Sequence, residues 1–409
     1  MASARPIYLD NHATTRVDPR VVDAMLPYLR EDYGNAGSRS HVYGKSAADA
    51  VSAAREAVAA LVGAEPDDVI FTSGATESNN LAIKGICHAD VPPAHVVTSC
   101  MEHHAVLDVC RDLESHGWSV TYLPARAGGR VSGEDVVSAL QPDTRLVTIM
   151  WANNETGVIN DVPGLAAICR ERRIFFHSDG AQVLGRLPVD LSCTGVDLLS
   201  VSAHKVYGPK GVGALVLRRS ARRALRPLLN GGGQERGLRP GTIPVHQVVG
   251  LGEAARLAAR DLEENDAARI ANLRDQFLAA LRTAVPIEIN GSMDHRLPGN
   301  LNLWFEGCDT EALMMRCREV AFSTGSACTS ASLEPSYVIS ALTGNEQRAA
   351  ESARFGFGRF TTEDEVVRAA EAVVHNVQEL RSLSPRARSE RASHSQSAPG
   401  CESVAAGTK

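Results

Sequence analysis

Residues 196–213 read Val-Asp-Leu-Leu-Ser-Val-Ser-Ala-His-Lys-Val-Tyr-Gly-Pro-Lys-Gly-Val-Gly. The apolar, strand-favouring run over 198–201 gives way to Ser202, Ala203, His204 and Lys205, and the turn at Gly208-Pro209 then breaks the pattern. Lys205 therefore falls just beyond the carboxyl end of a strand. Taken alone it is more often a solvated turn lysine, because lysines are mostly exposed. Its company changes that weighting, since Ser202 and His204 are phosphate donors in the same short stretch. Burial and nearby positive charge can strip such a lysine of its proton, and the neutral amine can then form a Schiff base with an aldehyde cofactor or a carbonyl substrate.

The pattern of strand, turn and helix recurs on both sides of this stretch. Strands are expected over 69–72, 96–99, 120–123, 146–150, 174–177 and 214–217, and helices over 45–62, 106–116 and 165–172. The alternation predicts an α/β fold whose large domain has a mainly parallel sheet flanked by helices. In such sheets ligands collect outside the carboxyl ends of the strands, and His104, Asn154, Asp179 and Lys205 each follow a predicted strand closely. The strand over 69–72 runs into Ser73-Gly74-Ala75-Thr76-Glu77-Ser78-Asn79-Asn80 and a helix start, whose free N–H groups suit an anion.

Nearer the amino terminus, a helix is expected from Pro19 to about residue 29, followed by a polar loop over 34–43. Apolar residues at helical spacing over 251–281 predict one long helix leading to a smaller α+β domain, with strands over 301–304, 320–323 and 353–357 and a closing helix over 366–380. The domains expected are a large one over 16–260 and a small one built from 1–15 and 261–384, the latter carrying a cysteine loop at about 321–334. Residues 385–409 turn to Ser, Arg, Ala and Gly without apolar periodicity, and a disordered tail is expected there.

Composition limits the function classes. The chain has 409 residues, 44% hydrophobic and 22% charged, which is ample for a packed core. A net charge of -6 and no basic stripe argue against direct nucleic-acid binding. No stretch approaches the roughly 20 apolar residues of a membrane span, and residues 1–15 lack a leader pattern. Nine cysteines, an odd number without a CxxC pair, fit a reducing compartment, so a soluble cytoplasmic protein is expected.

Several residues carry chemistry. Asp179 ends a buried strand, where burial alone would raise its pKa, so a cationic partner is expected; a turn aspartate before Gly180 is the plainer alternative. Paired with a Schiff-base lysine, it would suit the ring nitrogen of pyridoxal phosphate. His103 and His104 follow a strand, and only one of them can face a site there. Cys328 lies in Phe-Ser-Thr-Gly-Ser-Ala-Cys-Thr-Ser-Ala-Ser-Leu-Glu over 322–334, a run of small residues suited to an accessible nucleophile. Arg354 places a guanidinium in an apolar strand, where it needs either a substrate carboxylate or a structural ion pair. The glycine-rich loop over 231–242 lacks a nucleotide pattern and fits a close backbone approach to a cofactor or a subunit contact.

With these residues in hand, the chain resembles the cysteine desulfurases of the NifS/IscS kind, in the aminotransferase class V group of fold-type I pyridoxal phosphate enzymes. The resemblance runs from Tyr-Leu-Asp-Asn-His-Ala-Thr-Thr at 8–15 to about Pro385. It rests on Thr-Ser-Gly-Ala-Thr-Glu-Ser at 72–78, Asn-Asn-Glu-Thr-Gly at 153–157, the lysine stretch, the glycine loop and Gly-Ser-Ala-Cys-Thr-Ser-Ala at 325–331, in that order.

The resemblance implies that Lys205 tethers pyridoxal 5'-phosphate, that Asp179 pairs with its ring nitrogen, that Gln182 meets its phenolic oxygen and that His104 stacks on the ring. Ala75, Thr76, Ser202 and His204 would cradle the phosphate, and Thr242 would reach the site of a neighbouring subunit, which makes a homodimer. Asn154 and Arg354 would hold the carboxylate of L-cysteine, and Cys328 would take its sulfur as a persulfide, leaving alanine. The long cysteine loop is similar to that of the housekeeping enzymes supplying iron–sulfur assembly, so a scaffold protein or another sulfur acceptor is the implied partner, with Cys328 as a transient cluster ligand and tRNA thiolation as a further outlet. One departure is the Ser/Arg-rich end after Pro385, which replaces the segment that docks a scaffold in those enzymes. The alternative on the same scaffold is a selenocysteine lyase or another pyridoxal phosphate-dependent lyase or aminotransferase.

Overall fold

A computed structural model describes residues 5–88, 90–324 and 335–383. Twelve strands are present among them: β1 (Ile7–Tyr8), β2 (Val69–Thr72), β3 (His95–Ser99), β4 (Ser119–Leu123), β5 (Thr144–Thr148), β6 (Phe175–Asp179), β7 (Leu198–Ser202), β8 (Gly213–Leu217), β9 (Glu288–Ile289), β10 (Asn300–Trp304), β11 (Val320–Ala321) and β12 (Ser352–Gly356). Seven form the central sheet in the order β2-β8-β7-β6-β5-β3-β4, and every pairing is parallel except those of β8 with β2 and β7.

Strands β2, β3, β7 and β8 are buried at every position, as a sheet covered on both faces requires. One face packs against helices Val42–Leu61, Val162–Glu171 and Val245–Glu263, and the other against Ala75–Ile86 and His104–Ser115. Small residues bring helices Val42–Leu61 and Val245–Glu263 close together: a Cβ on Gly252 would lie 2.5 Å from the Cα of Ala54.

A second core surrounds β10 and β12, which helices Asp266–Ala284 and Glu363–Leu383 cover. Phe355 is its centre, with ring centroids of Phe277 and Phe322 each 4.9 Å away. The amino-terminal segment belongs with it, because β1 pairs in parallel with β11 and the N–H of Gly356 donates to Leu9 O at 2.6 Å.

Two expected helices are divided. The run over 251–281 spans the end of Val245–Glu263 and most of Asp266–Ala284, which are separated at Asn265, whose φ of 56° is left-handed. Asparagine tolerates that conformation, so the bend needs neither glycine nor proline and leaves the apolar periodicity intact. The run from Pro19 is likewise divided into Pro19–Met25 and Pro27–Arg30, because Pro27 has no N–H to continue the first helix.

Arg359, which follows β12, clasps the second core to the first. Its guanidinium meets Asp18 at 2.7 Å and Asp261 at 2.5 Å and lies 4.1 Å from the ring centroid of Tyr207. Arg20, then Arg359, hold the Asp18 carboxyl down at about 2. Removing one member of a buried ion pair leaves the others desolvated and uncompensated. Arg359→Ala is therefore expected to destabilise the fold by about 3–5 kcal/mol, read as a lower urea midpoint. Arg359→Lys should restore little, because an ammonium cannot reproduce the planar fork.

Candidate active site

A cavity of about 370 Å³ opens where the loops after β2, β3, β5, β6 and β7 converge. Lys205 lies in the turn Ala203–Lys205 directly after β7, and its Nζ donates to the carbonyls of His12 at 2.5 Å and Ala13 at 2.7 Å. The amino-terminal segment is held under this turn by Thr15, whose hydroxyl donates to His204 O at 3.0 Å and accepts from the Tyr207 N–H at 2.8 Å.

Asp179 terminates β6 on the same cavity. One carboxylate oxygen accepts from Asn79 Nδ2 at 2.7 Å and the other from the Ala181 N–H at 2.9 Å. Two donors thus fix the plane of a carboxylate only 6% exposed. Gln182 is held through His12, donating to its carbonyl at 3.0 Å while Gln182 Oε1 lies 2.9 Å from the His12 ring. Burial, then Arg186 and Arg354, push His12 well below the usual imidazole range, so this histidine is neutral.

The far end of the cavity is shaped for an anion. Gly74, with φ of 152°, precedes helix Ala75–Ile86, and Ala75, Thr76, Ser202 and His204 line the wall beside it. A Cβ on Gly213 would come within 2.7 Å of the Gly74 Cα, so only glycine permits this approach of the two backbones. Lys210 adds positive charge on the same wall. The glycine-rich loop over 231–242 is pinned to the rim, with Arg239 on Glu77 at 2.8 Å and Glu235 on Arg55 at 2.6 Å.

Opposite, Arg354 is 2% exposed, donating through Nη1 to Asn154 O at 2.8 Å and pairing through Nη2 with Asp10 at 2.8 Å. The structural ion pair therefore exists, yet Arg354 also lines the cavity. Three buried polar atoms around the cavity, Arg354 Nε, Asn154 Oδ1 and His12 Nε2, have no hydrogen-bond partner among the described residues. An amine, a fixed carboxylate, an anion cradle and a guanidinium in one chamber fit a phosphorylated aromatic aldehyde together with an amino-acid carboxylate.

The two adjacent histidines fall differently from the expectation. The cavity is lined by His103, and His104 lies outside it. His103 is the extended residue that caps helix His104–Ser115, its Nδ1 accepting from the Ala105 N–H at 3.0 Å. His104 is the first helical residue, lying 3.6 Å from Asp108 and 4.7 Å, ring to ring, from Tyr337, on an open cleft with Lys84 and Asp112. At a strand-to-helix junction one position changes which way a side chain leaves the backbone. Thr242 is exposed and does not line this chain's cavity, and Cys328 lies outside the described residues. His12, Asn79 and Lys210 were not picked out as site residues, although His12 stands in the stretch at 8–15 and Asn79 in the helix start that drew attention.

Comparisons with known proteins agree with this chemistry. A family model described as Aminotransferase class-V matches residues 7–368. A protein named cysteine desulfurase IscS from Neisseria meningitidis serogroup A is 51% identical over 386 residues, which cover 94% of this chain and 95% of the relative. A solved NifS-like protein superposes with a TM-score of 0.84 at 33% identity, over 91% of this chain and 99% of its own. A solved structure described as SspA in complex with cysteine has a TM-score of 0.77 at 35% identity, over 87% of this chain and 99% of its own.

The buried histidines set a pH dependence. Burial pushes His177, beneath Asp179 in β6, down to about 4, and burial followed by Lys205, Lys210 and Arg186 does the same to His204. In the unfolded chain both titrate near 6.5, so below that pH the unfolded state takes up protons that the folded state refuses. Their contribution to stability is complete above about pH 6.5 and is lost as the pH falls towards 4. Urea unfolding midpoints measured across that window are expected to fall, and His177→Gln should flatten the decline.

Proposed function

The chain belongs to the aminotransferase class-V family, and from that premise we propose that it is a cysteine desulfurase. It converts L-cysteine to L-alanine and moves the sulfur to an enzyme cysteine, for use in iron–sulfur cluster assembly. The observation that carries this reading is the convergence of Lys205, Asp179, His103 and Arg354 on one chamber. The enzyme depends on pyridoxal 5'-phosphate, which when bound supplies an electron sink for negative charge at the substrate Cα.

Lys205 would hold the aldehyde carbon of that group, Asp179 its ring nitrogen, Gln182 its phenolic oxygen, and Ala75, Thr76, Ser202 and His204 its phosphate. Asn154 would contact both this group and the substrate, and Arg354 would receive the substrate carboxylate through the Nε that has no partner among the described residues. His103, which lines the cavity, would stack on the ring in place of His104. Its Nδ1 accepts from the Ala105 N–H, which fixes the orientation of the imidazole, and proton transfer to or from the substrate would be its part in the reaction. Cys328 would accept sulfur as a thiolate, and the sum balances: L-cysteine and a thiol become L-alanine and a persulfide.

We also propose a cytoplasmic homodimer with Thr242 completing the partner's site; in support, Thr242 is exposed on a loop pinned at Glu235 and Arg239. Sulfur would pass to a scaffold protein or another acceptor, and Cys328 would touch the nascent cluster. Division into units of 16–260, and of 1–15 with 261–384, belongs to the same proposal. Among the described residues no helix is long and apolar enough to cross a membrane.

Alanine formation from L-cysteine tests the activity directly. Cys328→Ala should abolish persulfide while leaving the absorbance of the bound cofactor intact; persulfide surviving that change would sink the proposal. Borohydride reduction and peptide mapping should find the pyridoxyl group on Lys205. His103→Ala is expected to lower kcat by about 100-fold or more, and His104→Ala by no more than about threefold.

A further inference from the structure

Residues 153–157 form the loop after β5, and it is tied more heavily than a substrate contact at Asn154 requires. Asn153 Oδ1 accepts from the N–H groups of Glu155 at 2.9 Å and Thr156 at 2.8 Å, fixing the loop from within. Two of its carbonyls are gripped from the second core. Arg354 grips Asn154 O, and Asn300 and Asn302 donate to Glu155 O at 3.2 Å and 3.3 Å.

The Glu155 side chain makes a third connection. It is 1% exposed, and its Oε2 accepts the hydroxyl of Ser336, which is equally buried. Ser336 in turn caps helix Tyr337–Thr343 by accepting from the Ile339 N–H at 3.1 Å. One residue further, the Tyr337 hydroxyl donates to Glu102 O at 2.5 Å. The chain described from residue 335 onward is thus tied to the residue before His103 and to the residue after Asn154.

A carboxyl group is a costly way to fill a buried wall. Burial pushes Glu155 up from the usual carboxylate range, while Ser336, Arg354 and His103 pull it back. An apolar side chain would fill the space at lower free energy, and a single hydroxyl donor does not offset the desolvation of the carboxylate. What the carboxyl does that an apolar group cannot is fix the position of Ser336 relative to Asn154 and Arg354.

We propose that Glu155 is a positioning residue of the desulfurase reaction, acting through Ser336 to set where the chain that follows Cys328 is anchored beside Asn154. The proposal rests on the cysteine desulfurase activity. Its effect falls on the rate of sulfur removal, because cofactor contacts and the Arg354 fork are made by other atoms.

The test compares holoenzymes of the wild type, Ser336→Ala, Ser336→Thr, Glu155→Ala and the double alanine variant, measuring cofactor absorbance and alanine production from L-cysteine. Each single alanine variant is expected to lower kcat by about tenfold or more, with KM within about threefold and the absorbance unchanged. The double variant should be no slower than the slower single one, because both changes remove the same Glu155–Ser336 hydrogen bond. Ser336→Thr, which keeps the hydroxyl, should stay within about threefold of the wild type.

The proposal is overturned if Ser336→Ala stays within about twofold of the wild type in kcat, if the loss appears in KM or in cofactor content, or if the two single losses multiply. Should Glu155→Ala fail to fold, the two Ser336 variants decide the matter by kcat alone. A wild-type enzyme that makes no alanine from L-cysteine would instead bring down the activity itself, and this inference with it.

Discussion

A guanidinium buried to 2% exposure is the constraint around which the two cores meet. Arg354 stands in a strand of the second core, yet its fork reaches Asp10 of the amino-terminal segment and the Asn154 carbonyl of the loop after β5. A charge so desolvated is tolerated only when paired and hydrogen-bonded. Satisfying it brings three distant parts of the chain to one wall of the cavity. The atom left over, Nε, has no hydrogen-bond partner among the described residues.

The rest of the chamber follows the same logic of buried polar groups held by neighbours. Asp179 is fixed by Asn79 and Ala181, and Lys205 by two carbonyls of the segment that Asp10 begins. His12, His177 and His204 stay neutral because burial opposes their charging. Electrostatics prepared in advance cost no reorganisation when negative charge develops on the substrate.

The joint between the cores is polar as well. Arg359 with Asp18 and Asp261 closes one side, and the Glu155 contacts with Ser336, Asn300 and Asn302 close the other. Polar joints specify geometry more than they add stability, since each group lost water to enter them.

The sequence by itself determined the alternating α/β plan, the strand-end positions of Asn154, Asp179 and Lys205, and the glycine-shaped helix start after β2. These are local signals: apolar runs, turn residues and the groups immediately beyond them. It did not reveal the bend at Asn265, where a tolerated left-handed residue leaves the periodicity undisturbed. Nor could it separate His103 from His104, adjacent residues of one type whose directions diverge only once the helix begins at His104. Tertiary structure alone decided that Arg354 serves Asp10 as well as the cavity, and that His12 and Glu155 stand where they do. Each such contact joins residues far apart in the chain, and the free energy that selects them arises from burial on folding, which no local window of sequence contains.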